Sequence, residues 1–425
     1  MIGTHTVLLY PDPTGAGAGI DVSCFVDEVT VHHGREDSGS QPEAASATIE
    51  LSSDNAVEAL PQEIEVGAVV RVYVTLPGQP ASIRFGGRIT DVNAGWNEAG
   101  EQTPDMVGTQ VIAVAPLADL GRRIVGDAPF PQEIDGARVA RVMSLAGVTL
   151  DPLFSDPGTV QIVPRDVDTQ PALEVAQATA ESAGGLVWHT RSGEIRYADA
   201  VHRRGIQPSL ALDACDLLVS PNWRRSTEGL LNRVSIGYGV TPDEGEQPRY
   251  IADRPESVVK YGRYELSTAT ELALAADAAA MGDLLLTRNS APVWVLSDLP
   301  VAVKDLDLDQ TINLLALDVG SLVDVTGLPT AGTVPTSAAL WVEGWDETLR
   351  WGDHEITLTV SGFCRTAPAP RWNDVDPAMT WDTAPGTWDD ASCMGPTVNR
   401  GRWDDVPAST RWDQIPPATT WDTWN

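Results

Sequence analysis

The chain has 425 residues, 42% of them hydrophobic, with 37 glycines and 31 prolines, a composition that suits about two to four globular domains rich in turns. Sixty acids against 28 bases give a formal net charge of −32, which excludes a protein that grips DNA through its phosphates, because that needs Lys and Arg to displace counterions. No apolar run reaches the length of a membrane span, and MIGTHTVLLYPDP lacks the basic start and apolar stretch of a signal peptide, so neither is expected.

Lys260 and Lys304 are the only lysines; every other base is arginine, the bias of a GC-rich coding sequence. The four cysteines, Cys24, Cys215, Cys364 and Cys393, lie far apart without a CxxC pair. They are expected as buried thiols, since zinc sites use close ligand spacing.

Residues 1–116 read as a first β module. Ala47, Ile49 and Leu51 alternate with polar residues, as do Val70, Val72 and Val74, the period of strands with one buried face. Ile83, Phe85, Ile89 and Val92 continue the pattern across Gly86-Gly87, where a bulge or bend is expected. TQVIAVAPL supplies one more strand.

Residues 117–205 form a small α/β unit. DGARVARVMSLAG and PALEVAQATAESAGG have helical spacing, the latter with Pro171 in its first turn and Gly184 as its stop. GLVWHT, the turn Arg191-Ser192-Gly193 and EIRYADA predict a hairpin. Residues 206–365 turn β again, interrupted by one long helix, TATELALAADAAAMGDLLLTR, with Thr268-x-x-Glu271 as its capping box.

An internal echo links the two β regions. GAVVRVYVTLP (67–77) resembles GSLVDVTGLP (320–329). Each is followed by a Gly-containing strand bearing an aromatic residue, then by a last alternating strand, QVIAVA or EITLTV. A duplicated module is expected to repeat its strand order.

The order VTVHHGR, ASATIEL, VGAVVRV, FGGRITDV, DGARVARVMSLAG, ALEVAQATAESAGGLVWHTRSGEIRY, LLNRVSIGY, RNSAPVW, LDVGSLVDV and WVEGWDETL resembles the tail-hub (baseplate hub) minor tail proteins of long-tailed bacteriophages, particularly of actinobacteria, over roughly residues 20 to 365. The resemblance implies an α+β, mainly β fold with two tube-like β-barrels flanking the α/β unit. It implies a homotrimer whose six similar lobes adapt a sixfold tail tube to a threefold tip. The implied partners are tail tube and distal tail proteins, the tape-measure protein and other tail-tip or fibre proteins. The implied location is the virion tail tip, after assembly in the host cytoplasm. DNA would pass through the lumen without stable binding, and an anionic wall would repel it.

The sequence carries no complete catalytic or metal-binding motif. His32 and His33 are neighbours in a strand, so they face opposite ways and are expected in solvent. His354 begins HEITLTV without the second histidine of a zinc protease, at a turn after Trp351-Gly352-Asp353. KDLDLDQTINLL lacks the glycine and final glutamate of a calcium loop, and TGAGAGID lacks the Gly-Lys ending of a phosphate loop. With no Gly-x-Ser-x-Gly elbow either, the reading is not an enzyme, with no cofactor and no metal. A cell-wall hydrolase is the least supported class.

Residues 366–425 repeat Trp-Asp with prolines between: Trp372, Trp381, Trp388, Trp403, Trp412, Trp421 and Trp424, at intervals of 9, 7, 15, 9, 9 and 3. Burying one Trp yields on the order of 4–6 kcal/mol, whereas fixing nine residues costs roughly 9–18 kcal/mol. Such a segment cannot order itself alone. Polyproline II would put most of these tryptophans on one edge; repeated Asp-capped turns are the alternative. Either makes a strap whose tryptophans anchor it to a partner. The competing reading is grip on cell-wall sugars, which would make the chain a receptor-binding minor tail protein.

Overall fold

The computed structural model describes residues 3–53, 60–96, 107–166, 169–202, 207–219, 221–242, 245–296, 298–328 and 334–362. All seven tail tryptophans, with Cys364 and Cys393, lie outside the described residues.

The fold is mainly β. The first module contains Thr4–Tyr10 (β1), Ile20–Asp21 (β2), Val26–Gly34 (β3), Glu43–Ser53 (β4), Val69–Thr75 (β5), Ser82–Trp96 (β6) and Val107–Val114 (β7). They pair in the order β2-β1-β5-β6-β7-β4-β3. Alternation dictates the core face: Val70, Val72 and Val74 are each at most 1% exposed, and burial of each is worth roughly 1.5–3 kcal/mol.

The middle unit contains the helices Asp135–Leu145 (α1) and Ala172–Ala183 (α2) and the hairpin Leu186–His189 (β8) with Ile195–Ala198 (β9). Gly184 ends α2 in the left-handed region at φ 70°, as the sequence suggests, while Pro171 precedes the helix. This unit has its own core, including Val139, Val142, Val175 and Tyr197.

The second module contains Leu210–Asp213 (β10), Trp223–Arg225 (β11), Trp294–Leu296 (β15), Leu299–Ala302 (β16), Leu322–Thr326 (β17), Ala338–Arg350 (β18) and Asp353–Gly362 (β19). Between β11 and β15 an inserted unit carries Arg233–Gly237 (β12), Arg249–Asp253 (β13) and Glu265–Thr268 (β14), a sheet covered by the helix Ala275–Asn289 (α3). The helix Leu308–Ala316 (α4) precedes β17, capped reciprocally by Asp307 and Gln310.

The expected capping box at Thr268 and Glu271 is not formed. Thr268 ends β14, and α3 begins only after Leu274. Glu271 is buried instead, paired with Arg165. A carboxylate that meets a guanidinium away from water is not available to a helix end.

The two modules repeat one plan. β17-β18-β19 is a meander like β5-β6-β7, and β16 lies against β19 as β4 lies against β7. β15 pairs with β11 as β4 pairs with β3. The match extends to single hydrogen bonds. Gly67 donates to the Ile89 carbonyl and Ile89 to that of Ala68; Gly320 donates to Val342 and Val342 to Ser321. A register shift follows Ile89 in β6 and Val342 in β18. The short turns Ser23–Phe25 and Ala214–Asp216 then lead to Val26, which pairs with Leu51, and to Leu217, which pairs with Val301. The first edge differs: β10 lies parallel to β17 where β1 lies antiparallel to β5.

Cys24 and Cys215 occupy the same middle position of these two turns, and both are exposed, against the expectation of buried thiols. A turn on the sheet rim offers no apolar pocket for them.

Candidate functional site

The modules meet along β18. Its first residues, Ala338–Trp341, pair with β17, whereas Gly344–Arg350 pair antiparallel with β3. That second ladder joins β1–β7, β10 and β16–β19 into one twelve-stranded sheet over one core, with β11 and β15 as a separate pair.

Bulges aim buried charges into this joint. The β5–β6 register shifts so that Arg84 is the extra residue, two residues before the Gly86-Gly87 pair where the sequence suggests it. The extra residue of β18 is Glu343. Arg84 Nε donates to Glu347 Oε1 at 2.8 Å, Nη2 to Oε2 at 2.8 Å and Nη1 to the Leu315 carbonyl at 2.6 Å. Both side chains are fully buried. His354 Nε2 lies 2.8 Å from Glu347 Oε1, so His354 is a buried strand residue rather than the turn residue expected. Arg35 Nε donates to Glu343 Oε2 at 2.8 Å, and Ser361 Oγ donates to Glu343 Oε1.

An aromatic and cationic stack sits beside these pairs. The Trp345 ring carries His33 at 4.2 Å between centroids, nearly parallel, and the Arg191 guanidinium 4.1 Å from its centre. His189 tilts against His33 at 4.6 Å and accepts from the Ala45 amide through Nε2. His33 is 1% exposed, which corrects the solvated reading; His32, on the other face, pairs with Asp346 at 2.8 Å in reach of water. Arg350 and Glu28 close the rim at 2.7 Å.

Burial sets the electrostatics. Desolvation holds His33 well below the usual histidine range, helped by the charges of Arg191 and Arg84, and takes His189 down to about 3. Burial beside Arg84 lowers Arg191 to about 9. Burial would raise the Glu347 carboxyl, but Arg84 and His354 outweigh it and hold it well below the carboxylate range.

The carboxylates of this joint are met by guanidinium groups, while His33 Nε2, His189 Nδ1, Arg191 Nε and Trp345 Nε1 are buried without a hydrogen-bond partner, so what the arrangement does is hold the two modules in register. Among the described residues no cluster of three metal-ligating side chains occurs. A groove of about 500 Å³ in the middle unit is lined by α1 and by Leu150, Pro152 and Pro157.

The sequence carries a signal for part of the joint. Trp345, Glu347 and Leu349 share a face in a strand of period two, so Glu347 had to be as buried as its neighbours. Arg84 gave no such signal, because a bulge reverses the alternation.

No protein-family model matches the chain, and no curated protein matches it. Solved structures do. The 43 kDa tail protein of prophage MuSo2 from Shewanella oneidensis superposes with a TM-score of 0.57 at 12% identity, covering 84% of this chain and 98% of that one. A tail protein from Neisseria meningitidis MC58 gives 0.55 at 11% identity, covering 85% and 97%. Nearly the whole of each tail protein is therefore matched, and this chain has their fold.

Proposed function

We propose that this chain is a structural protein of a phage virion, the hub of a tail tip. Three copies close into a ring in which six sheet modules, each a tube-like β-barrel, dock on a sixfold tail tube while the other side presents a threefold tip. The genome leaves through the lumen, and the net charge of −32 keeps that wall from holding it. Tail tube and distal tail proteins, the tape-measure protein and fibre proteins are the neighbours, and the Trp-Asp segment straps the hub to one of them.

The observation that carries this reading is the repeated module. A threefold object can match a sixfold one only if each chain supplies two similar contacts, and the strand order, bulge and turn positions of the two modules agree. The fold shared with tail proteins supports it.

Electron microscopy of the purified chain at high concentration tests it. A closed threefold ring with six similar lobes is expected. A chain that stays monomeric both alone and with tail tubes would overturn it.

A further inference from the structure

Within one chain the modules are joined by β3 lying on the Gly344–Arg350 half of β18. Each side of that contact has a counterpart in the other module. Ile89 corresponds to Val342 by hydrogen bonds and bulge, so β6 from Asp91 onward corresponds to β18 from Gly344 onward. Val26 corresponds to Leu217 by turn and ladder, and Ser46, opposite His32, corresponds to Leu296, opposite Trp223. β11 is thus the counterpart of His32–Gly34.

Both counterparts have an open edge. Among the described residues no strand pairs with β6 beyond Ile89 on the side away from β7, and none pairs with β11 on the side away from β15. An unpaired strand edge is a template for another chain.

We infer that β11 of one copy pairs antiparallel with the open half of β6 in a second copy, repeating between chains the β3–β18 contact made within each. The internal register sets Gly34 against Gly344, His33 against Trp345 and His32 against Asp346. Carried over, it sets Arg225 against Asp91, Arg224 against Val92 and Trp223 against Asn93. Asp91 and Arg225 are both exposed, and the register puts their opposite charges face to face. The Arg225 side chain is tied to the β15 segment, donating to the Pro292 carbonyl at 3.0 Å, so the pairing would draw on an arginine already positioned in the strand.

The internal pair consists of two glycines in close approach; the external pair is an ordinary charged one. The contact is head to tail, so its repetition closes a ring or extends without limit. Closure at three rests on the hub reading; the strand pairing does not.

The test uses the full chain with Cys24, Cys215, Cys364 and Cys393 changed to Ser and with Asp91→Cys and Arg225→Cys added. Directly opposite residues of antiparallel strands have Cα atoms about 4.5–5.5 Å apart, within disulfide reach. Mild oxidation is expected to give covalent oligomers on a non-reducing gel, with neither single variant passing beyond a dimer. In the otherwise native chain, Asp91→Arg and Arg225→Asp should each weaken self-association about tenfold, and the two together should restore it. Oligomers that form without the cross-link, or that ignore both charge reversals, would refute this edge and leave the hub reading standing. A cross-link confined to single chains would refute it too. A chain that neither associates nor cross-links at any concentration removes both.

Discussion

Arg84 and Glu347 lie 263 residues apart in the chain and meet as a two-point ion pair that water does not reach. One comes from a bulge in the first module, the other from the strand that both modules share. The pair is thus a lock between modules. Its burial costs much of what its attraction returns, so its larger effect is on which register the modules adopt.

Removing one partner leaves the other buried without its counter-ion, with only His354 beside Glu347 or the Leu315 carbonyl beside Arg84. Glu347→Gln or Arg84→Met is expected to cost about 3–5 kcal/mol, read from urea unfolding. The double change Arg84→Met with Glu347→Leu should recover part of that loss, because neither member of the pair is then left buried without the other, although Arg191 loses the nearby Glu347 charge as well.

The joint should also be sensitive to acid. His33 and His189 are held neutral by burial, with folded pKa values below the ordinary 6.5. Between those values the unfolded chain binds the extra protons, so stability is complete above about pH 6.5 and falls as the pH drops below it. Glu347 is also depressed, below 4.5, and its contribution is lost further down, as pH falls through its folded value. Melting temperature against pH should therefore begin to fall near pH 6.5. His189→Gln is expected to flatten the slope between pH 6.5 and 5, and an unchanged slope would remove this histidine from the account.

Gly34 and Gly344 let the β3 and β18 backbones touch. A Cβ on Gly344 would stand 2.5 Å from the His33 carbonyl oxygen, and one on Gly34, at φ 97°, 2.4 Å from that of Glu343. Gly344→Ala is expected to force the strands apart and cost on the order of 1–3 kcal/mol. Hydrogen exchange would show it as faster exchange in β3 and the second half of β18, with β5 and the start of β6 unchanged.

Deleting residues 371–425 separates the two readings of the Trp-Asp segment. Failure to assemble into particles supports a strap. Normal particles that do not adsorb to host cells would instead make the segment a receptor grip.

The repeated Gly-x-x-Val-x-Val motif led to the repeated strand order because Gly67 and Gly320 open the same hydrogen-bonded corner. The hairpin around Arg191-Ser192-Gly193 was legible for a similar local reason: two alternating runs separated by a short turn. The start of α3 was not, since Glu271 answers to Arg165, over a hundred residues earlier in the chain. His33 and His354 depend on distant partners in the same way. Their neighbours in sequence are polar or small, and their neighbours in space are Trp345, His189 and Glu347.

By itself the sequence determined which residues of each strand share a face, where the helices of the middle unit stop, and that one β plan occurs twice. Those are consequences of backbone period and local sterics, which act over a few residues. Only the tertiary structure decided that β18 is split between β17 and β3, that two bulges turn Arg84 and Glu343 inward, and that among the described residues β6 and β11 keep an edge open. A period of two fixes the faces of a strand but says nothing about its edges, because the backbone amides that choose a neighbour are the same in every residue except proline.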